Sequence, residues 1–174
     1  MKNLKKLGIL LLTTIFLNTF SSCSKDDDGG SGGTAAEGII TAKVDGTTVS
    51  TEATLTTGEI YSTSEGAFVI DLNGANTAGK SYDIIIHGYE GVGSYEIGGT
   101  NSSFVAGYYR EFNNTSGTQT WSVGYGETVA GQLQIVSATS TKIIGTFYFT
   151  AKNTEDNTTK TISEGSFNVN LTTF

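Results

Sequence analysis

Few residues in this chain are of a type that carries chemistry. His87 is its sole histidine and Cys23 its sole cysteine. A zinc site on His87 would need carboxylates for its other protein ligands, because such sites are built from Cys, His and acids. No His-x-Glu or His-Glu-x-x-His spacing is present. As a general base His87 would need a nucleophile and an orienting acid within hydrogen-bond reach. Asp83 shares its strand face but lies about 13 Å away at ~3.3 Å per residue. His87, just before Gly88, therefore reads as a structural residue at a strand end. No catalytic residue, metal ligand or cofactor is assigned.

Paired carboxylates could still hydrolyse a glycosidic bond without histidine. Glu90, Glu96, Glu111 and Glu127 are the candidates, but most stand close to Gly, Asn or Thr turn residues and read as solvated loop acids. The expectation is that the acids outside the amino-terminal stretch titrate near their ordinary values. Gly91-Val92-Gly93 superficially suggests a phosphate loop, but no helix pattern and no Lys-Ser/Thr pair follows.

Aromatic residues are the remaining source of a binding surface. Phe104 and Tyr108 share a parity with Ala106 and read as core, which turns Tyr109 outward with Val105 and Glu111. Tyr148 points away from Phe147 and Phe149. Trp121 shares a face with Val123 and Tyr125. Tyr109, Trp121 and Tyr148 could form a shelf on which sugar rings stack. Equally, Trp121 is the expected plug of a β-sandwich core, and the tyrosines are cross-strand packing.

The elements that would position these residues begin after an address. Lys2, Lys5 and Lys6 precede an apolar run from Leu7 to Leu17, and a polar exit leads to Cys23. That is the pattern of a secretory signal over residues 1–22 and is too short for a membrane span, which needs ~20 apolar residues. The exit resembles a lipobox, with Phe20 and Ser22 where Leu and a smaller residue are usual. The resemblance implies cleavage before Cys23 and lipidation of its sulfur, each buried methylene contributing ~0.8 kcal/mol to membrane anchoring. Lys25, Asp26, Asp27 and Asp28 follow at once. An acidic run there resembles the surface-export signal of lipoproteins in one Gram-negative phylum, and it lacks the Gly and distal Glu of an EF-hand loop. The implied location is the outer membrane, lipid-anchored and facing outward.

Cleavage would remove three lysines, leaving 7 basic against 17 acidic residues, a net charge of −10. Such a chain is a poor nucleic-acid binder, because that affinity comes from neutralising phosphates. It also lacks the basic surface that adheres to anionic headgroups, so attachment falls to the lipid. Its partners are thus the membrane, through the anchor, and a possible glycan or protein.

Residues 23–37, rich in Ser, Asp and Gly, read as a flexible tether. Residues 38–174 read as one β-rich domain, long enough to bury a core. Its short runs of Val, Ile, Thr, Phe and Tyr are punctuated by Gly, Asn and Ser. Asp45-Gly46 marks a hairpin turn. Ile143, Phe147, Phe149 and Ala151 share one parity in the clearest hairpin. Its partner carries Phe167, Val169 and Leu171 on one face but Ile162 on the other, which predicts a bulge at Glu164-Gly165. The whole chain lacks proline, so strand edges must be protected by charge, bulges and short edge strands. The expectation is an all-β, antiparallel sandwich of roughly nine to eleven strands, with a closed, lipocalin-like barrel as the alternative.

Two segments, Ile144–Ala151 and Lys160–Val169, resemble the carboxy-terminal signature of an uncharacterised bacterial lipoprotein family, and Ile40–Gly46 is similar to its opening strand. The resemblance implies a β-rich lipoprotein domain and no particular activity. The functional expectation is a non-enzymatic domain with a binding or envelope-structural role. The alternatives are a two-carboxylate glycoside hydrolase and a barrel that holds a small apolar ligand.

Overall fold

The computed structural model describes residues 33–115 and 117–174. Cys23, Lys25, Asp26, Asp27 and Asp28 lie outside the described residues, so the address is not part of the structure that follows.

The described chain is all-β. Strands β1 (Ile39–Val44), β2 (Thr47–Ser50), β3 (Thr56–Ser62), β4 (Phe68–Ala75), β5 (Lys80–His87) and β6 (Gly93–Ile97) form its first half. Strands β7 (Phe104–Asn113), β8 (Gly117–Val123), β9 (Gly131–Ala138), β10 (Lys142–Lys152) and β11 (Thr159–Thr173) form the second. The only helical turn among the described residues is a 3-10 turn at Ala53–Leu55.

All eleven strands join one sheet, in the order β2-β1-β11-β3-β4-β5-β7-β6-β9-β10-β8. A further pairing of β10 with β11 closes eight of them into a ring. The strands pair all the way round, as in a barrel, yet their inner faces meet over one core, as in a sandwich. Two pairings, β11 with β3 and β6 with β7, are parallel, so the sheet is mixed rather than wholly antiparallel. Strand β11 makes this possible: at 15 residues it is long enough to pair with β10 along one edge and with β1 and then β3 along the other. Ring closure also answers the missing prolines: of the two strands at the ends of the order, β2 has just four residues and β8 pairs with both β7 and β10.

Alternation sets which side chains fill the ring. Ile70, Leu72, Ile84, Ile86, Leu133, Ile135 and Ile143 are fully buried. Their large neighbours are Tyr82, Tyr109, Phe147, Phe149 and Phe167, with Tyr82 5.5 Å from Tyr109 and 6.1 Å from Phe147 between ring centroids. These rings occupy the interior that a lipocalin-like ligand would need.

The predicted bulge is present. Phe147 faces Gly165 and Phe149 faces Ile162, so Ser163 and Glu164 together oppose Tyr148. The extra residue brings Ile162 and Phe167 into the same core. A Cβ on Gly165 would lie 2.6 Å from the Phe147 carbonyl oxygen, which is why glycine stands there. On Gly145 a Cβ would overlap the Gln134 carbonyl oxygen and the Phe167 ring. At the Asp45-Gly46 turn both residues have positive φ, 48° and 83°, as a two-residue hairpin connection requires.

The ordered domain begins a little earlier than residue 38. Ala35 is buried, Gly38 N donates to Asn168 O at 2.7 Å, and Glu37 pairs with Lys142 at 2.9 Å. Such small and polar residues give no apolar signal in the sequence, so the last part of the expected tether is clipped to β10 and β11.

Candidate ligand face

The outward side of β3, β4, β5 and β7 gathers the residues best suited to bind something. Their registers align side chains in cross-strand rows. Tyr61, Val69, His87 and Phe104 stand in one row, and Glu59, Asp71, Ile85 and Ala106 in the next. Thr57, Asn73, Asp83 and Tyr108 form a third, with Ser81 and Arg110 paired beyond it. This parity is outward because the alternate residues Tyr82, Ile84, Ile86, Val105 and Tyr109 fill the core.

The first row ends in an aromatic stack. His87 and Phe104 lie parallel, their centroids 4.5 Å apart and their planes 11° apart. Tyr125, just beyond β8, adds a third ring 5.1 Å from Phe104, tilted 50° to it and itself exposed. Partial burial lowers the His87 pKa from 6.5. The imidazole is thus neutral at pH 7, and acts here as a flat ring rather than as a charge.

Beside the stack is an acidic pair. Asp71 and Asp83 are diagonal neighbours, since Asp71 faces Ile85, two residues along β5 from Asp83. Arg110 Nη2 donates to Asp83 Oδ2 at 3.1 Å, and its guanidinium lies 5.0 Å from the centre of the Tyr108 ring. Burial, followed by the charge of Asp83 and a hydrogen bond to it, pushes the Asp71 pKa up to about 6. Glu59 adds to the repulsion, and Arg110 opposes it. Asp71 Oδ1 and Asp83 Oδ1 are buried, and neither has a donor while both acids are ionised. A proton on Asp71 supplies that donor, while Arg110 holds the other oxygen of Asp83. The expectation that every acid outside the tether titrates near its ordinary value fails at Asp71. Two acids placed inside apolar strands meet there across a ladder.

Asp71 and Asp83 share a hydrogen bond, a closer arrangement than the ≈ 5–9.5 Å spacing of glycosidase carboxyl pairs. The four glutamates named from the sequence do not converge either. Glu111 accepts from the Tyr109 hydroxyl at 2.7 Å, and Glu127 accepts from Gly124 N at 3.1 Å. Glu90 and Glu96 do line one pocket of about 310 Å³ with Ser94 and Asn101, but both are solvent-exposed. A general acid needs burial or a close like charge to keep its proton. Gly91 lies in the turn before β6, and Gly93 is the first residue of that strand.

The aromatic shelf read from the sequence is dispersed. Tyr109 is fully buried and Trp121 nearly so, paired across β7 and β8 with centroids 6.0 Å apart. Trp121 Nε1 donates to Thr158 Oγ1 at 2.9 Å, which satisfies its one polar atom inside the core. Tyr148 alone is exposed, on the outer side of β10. The parity of β7 is thus the reverse of the sequence reading: Phe104 and Tyr108 face outward and Tyr109 inward. Both faces of this strand carry aromatics, so alternation alone could not choose between them. One signal was available in Val69-Ile70-Asp71-Leu72 and Tyr82-Asp83-Ile84-Ile85, where each acid interrupts an apolar run. Nothing near either residue in sequence marks the other as its neighbour.

No family model matches the chain, and no curated protein or solved structure matches it with significance.

Proposed function

We propose that this chain is a lipid-anchored, non-enzymatic binding protein of a bacterial outer surface, and that its ligand is a glycan. The observation that carries the ligand class is the stacked His87–Phe104 pair, with the tilted Tyr125 ring against it, beside Asp71, Asp83 and Arg110. Sugar rings present apolar C–H faces that pack on aromatic rings, and vicinal hydroxyls that both donate and accept hydrogen bonds. The stack supplies the first surface. Asp71, Asp83 and the Arg110 fork supply acceptors and donors for the second. Location rests on sequence: the signal pattern before Cys23, the lipobox-like exit and the acidic run at Lys25–Asp28. The likeness to the uncharacterised lipoprotein family favours the same address.

The test is a glycan array probed with the detergent-solubilised lipoprotein. Binding to at least one glycan class is expected, with at least tenfold weakening in F104A and no change in Y148A on the opposite side. An array with no binding, or equal loss in both variants, would overturn the glycan reading.

A further inference from the structure

The mouth of the ring beside the tether carries an apolar groove. The last buried pair of the β3–β4 ladder is followed, at the same inward parity, by Ser62 opposite Phe68. Phe68 thus lies past the end of the core and is 52% exposed. With Ile60, Tyr61 and Phe174 it lines a groove of about 200 Å³, whose other wall is the β9–β10 turn at Thr139 and Ser140. Aromatic side chains this exposed, beside polar Ser and Thr, match the composition that settles at a membrane–water interface.

The chain enters the domain beside this groove. Glu37 contacts Lys142 at 2.9 Å and Asn170 at 3.4 Å, and Leu171 N donates to Thr141 O at 2.8 Å. The entry therefore abuts the β9–β10 turn that walls the groove. Only nine residues, ten Cα-to-Cα steps, lie between Cys23 and Gly33. A chain that long reaches at most about 35 Å, and a flexible coil of that length averages ~17 Å. A lipid on Cys23 thus holds this end of the domain within reach of the bilayer, while the net negative charge rules out headgroup electrostatics as the attraction.

We infer that the groove of Ile60, Tyr61, Phe68 and Phe174 docks on the bilayer surface, giving the protein a second membrane contact besides its lipid. The inference rests on the lipid-anchor reading of Cys23. Docking fixes which way the domain stands: the mouth faces the membrane, and the outward face of β3–β7 rises from it with the row of Tyr61, His87 and Phe104 nearest the bilayer.

The lipoprotein, reconstituted into phosphatidylcholine vesicles that contain brominated acyl chains, tests both parts. Flotation with the vesicles reports the anchor. Bromine quenching of added tryptophan emission reports docking, with wild-type Trp121 emission as the background. The expected result is at least twofold stronger quenching in F68W than in E155W, which places the probe in the β10–β11 loop away from the groove. A protein that floats while F68W is quenched no more than E155W overturns docking alone. Failure to float removes the anchor and this inference with it. A blue-shifted, unquenched F68W in a protein of doubled mass would assign the groove to a second copy instead.

Discussion

His87 on β5 and Phe104 on β7 stand directly opposite each other with ring planes 11° apart, so the sole histidine of the chain is used as an aromatic surface. Its neutral state at pH 7 makes a specific expectation possible. H87F should keep glycan binding within about threefold of wild type, whereas H87A should weaken it by about tenfold. Wild-type affinity should not change between pH 7 and 8. Isothermal titration with the best array ligand measures all three, and a charged-histidine role would show as loss in H87F.

Asp71 makes stability depend on pH in an uncommon direction. Folding raises its pKa from 3.8 to about 6, so between those values the folded state holds more protons than the unfolded one. The contribution of this group is complete below about pH 4 and is lost as pH rises through about 6. D71N keeps a neutral hydrogen-bonding group in place. It should flatten the stability profile in that window and be more stable than wild type at pH 7. Urea unfolding at pH 4, 5, 6 and 7 checks this, and parallel profiles for the two proteins would refute it.

Trp121 and Tyr148 separate core from surface. W121A removes a buried ring, orphans the Thr158 partner and should cost ~3–5 kcal/mol. Y148A, at an exposed position, should stay within about 0.5 kcal/mol of wild type. Equal losses in chemical denaturation would mean that these assignments are wrong.

Two glycines differ in why they are needed. G165A would drive a methyl into the Phe147 carbonyl and ring, and overpacking of this kind costs ~1–3 kcal/mol. At Gly46 a Cβ meets nothing within 4 Å, and the cost is that of positive φ, about 1 kcal/mol. G165A should therefore unfold at a lower urea concentration than G46A. The reverse order would place the bulge elsewhere.

Local chemistry was legible in the sequence where neighbours in the chain are neighbours in space. The Asp45-Gly46 turn and the Glu164-Gly165 bulge follow from turn residues and a break in alternation. The ligand face was not legible, because its rows join residues from four strands whose registers are set by pairing. Asp71 and Asp83 meet only once β4 and β5 are aligned. The orientation of β7 is decided by Gly107: a Cβ there would lie 3.1 Å from the Phe149 ring, and only the inward side of the strand has that ring to accommodate. Neither constraint can be read from one segment alone.

The clip at Ala35–Gly38 has a mechanical consequence. If Cys23 carries a lipid and the outward face of β3–β7 holds a surface glycan, as proposed, relative movement of the two attachments would put the domain under tension. That load enters through β1, whose ladder to β11 runs from Ile39–Asn168 to Val44–Ile162. Force along β1 would stretch these hydrogen bonds together rather than peel them singly, and β11 passes it on to β10 and β3. A single molecule pulled between Gly33 and a handle on β5 should hold until β1 shears from β11 in one step. Gradual lengthening at low force would show that the strand unzips instead.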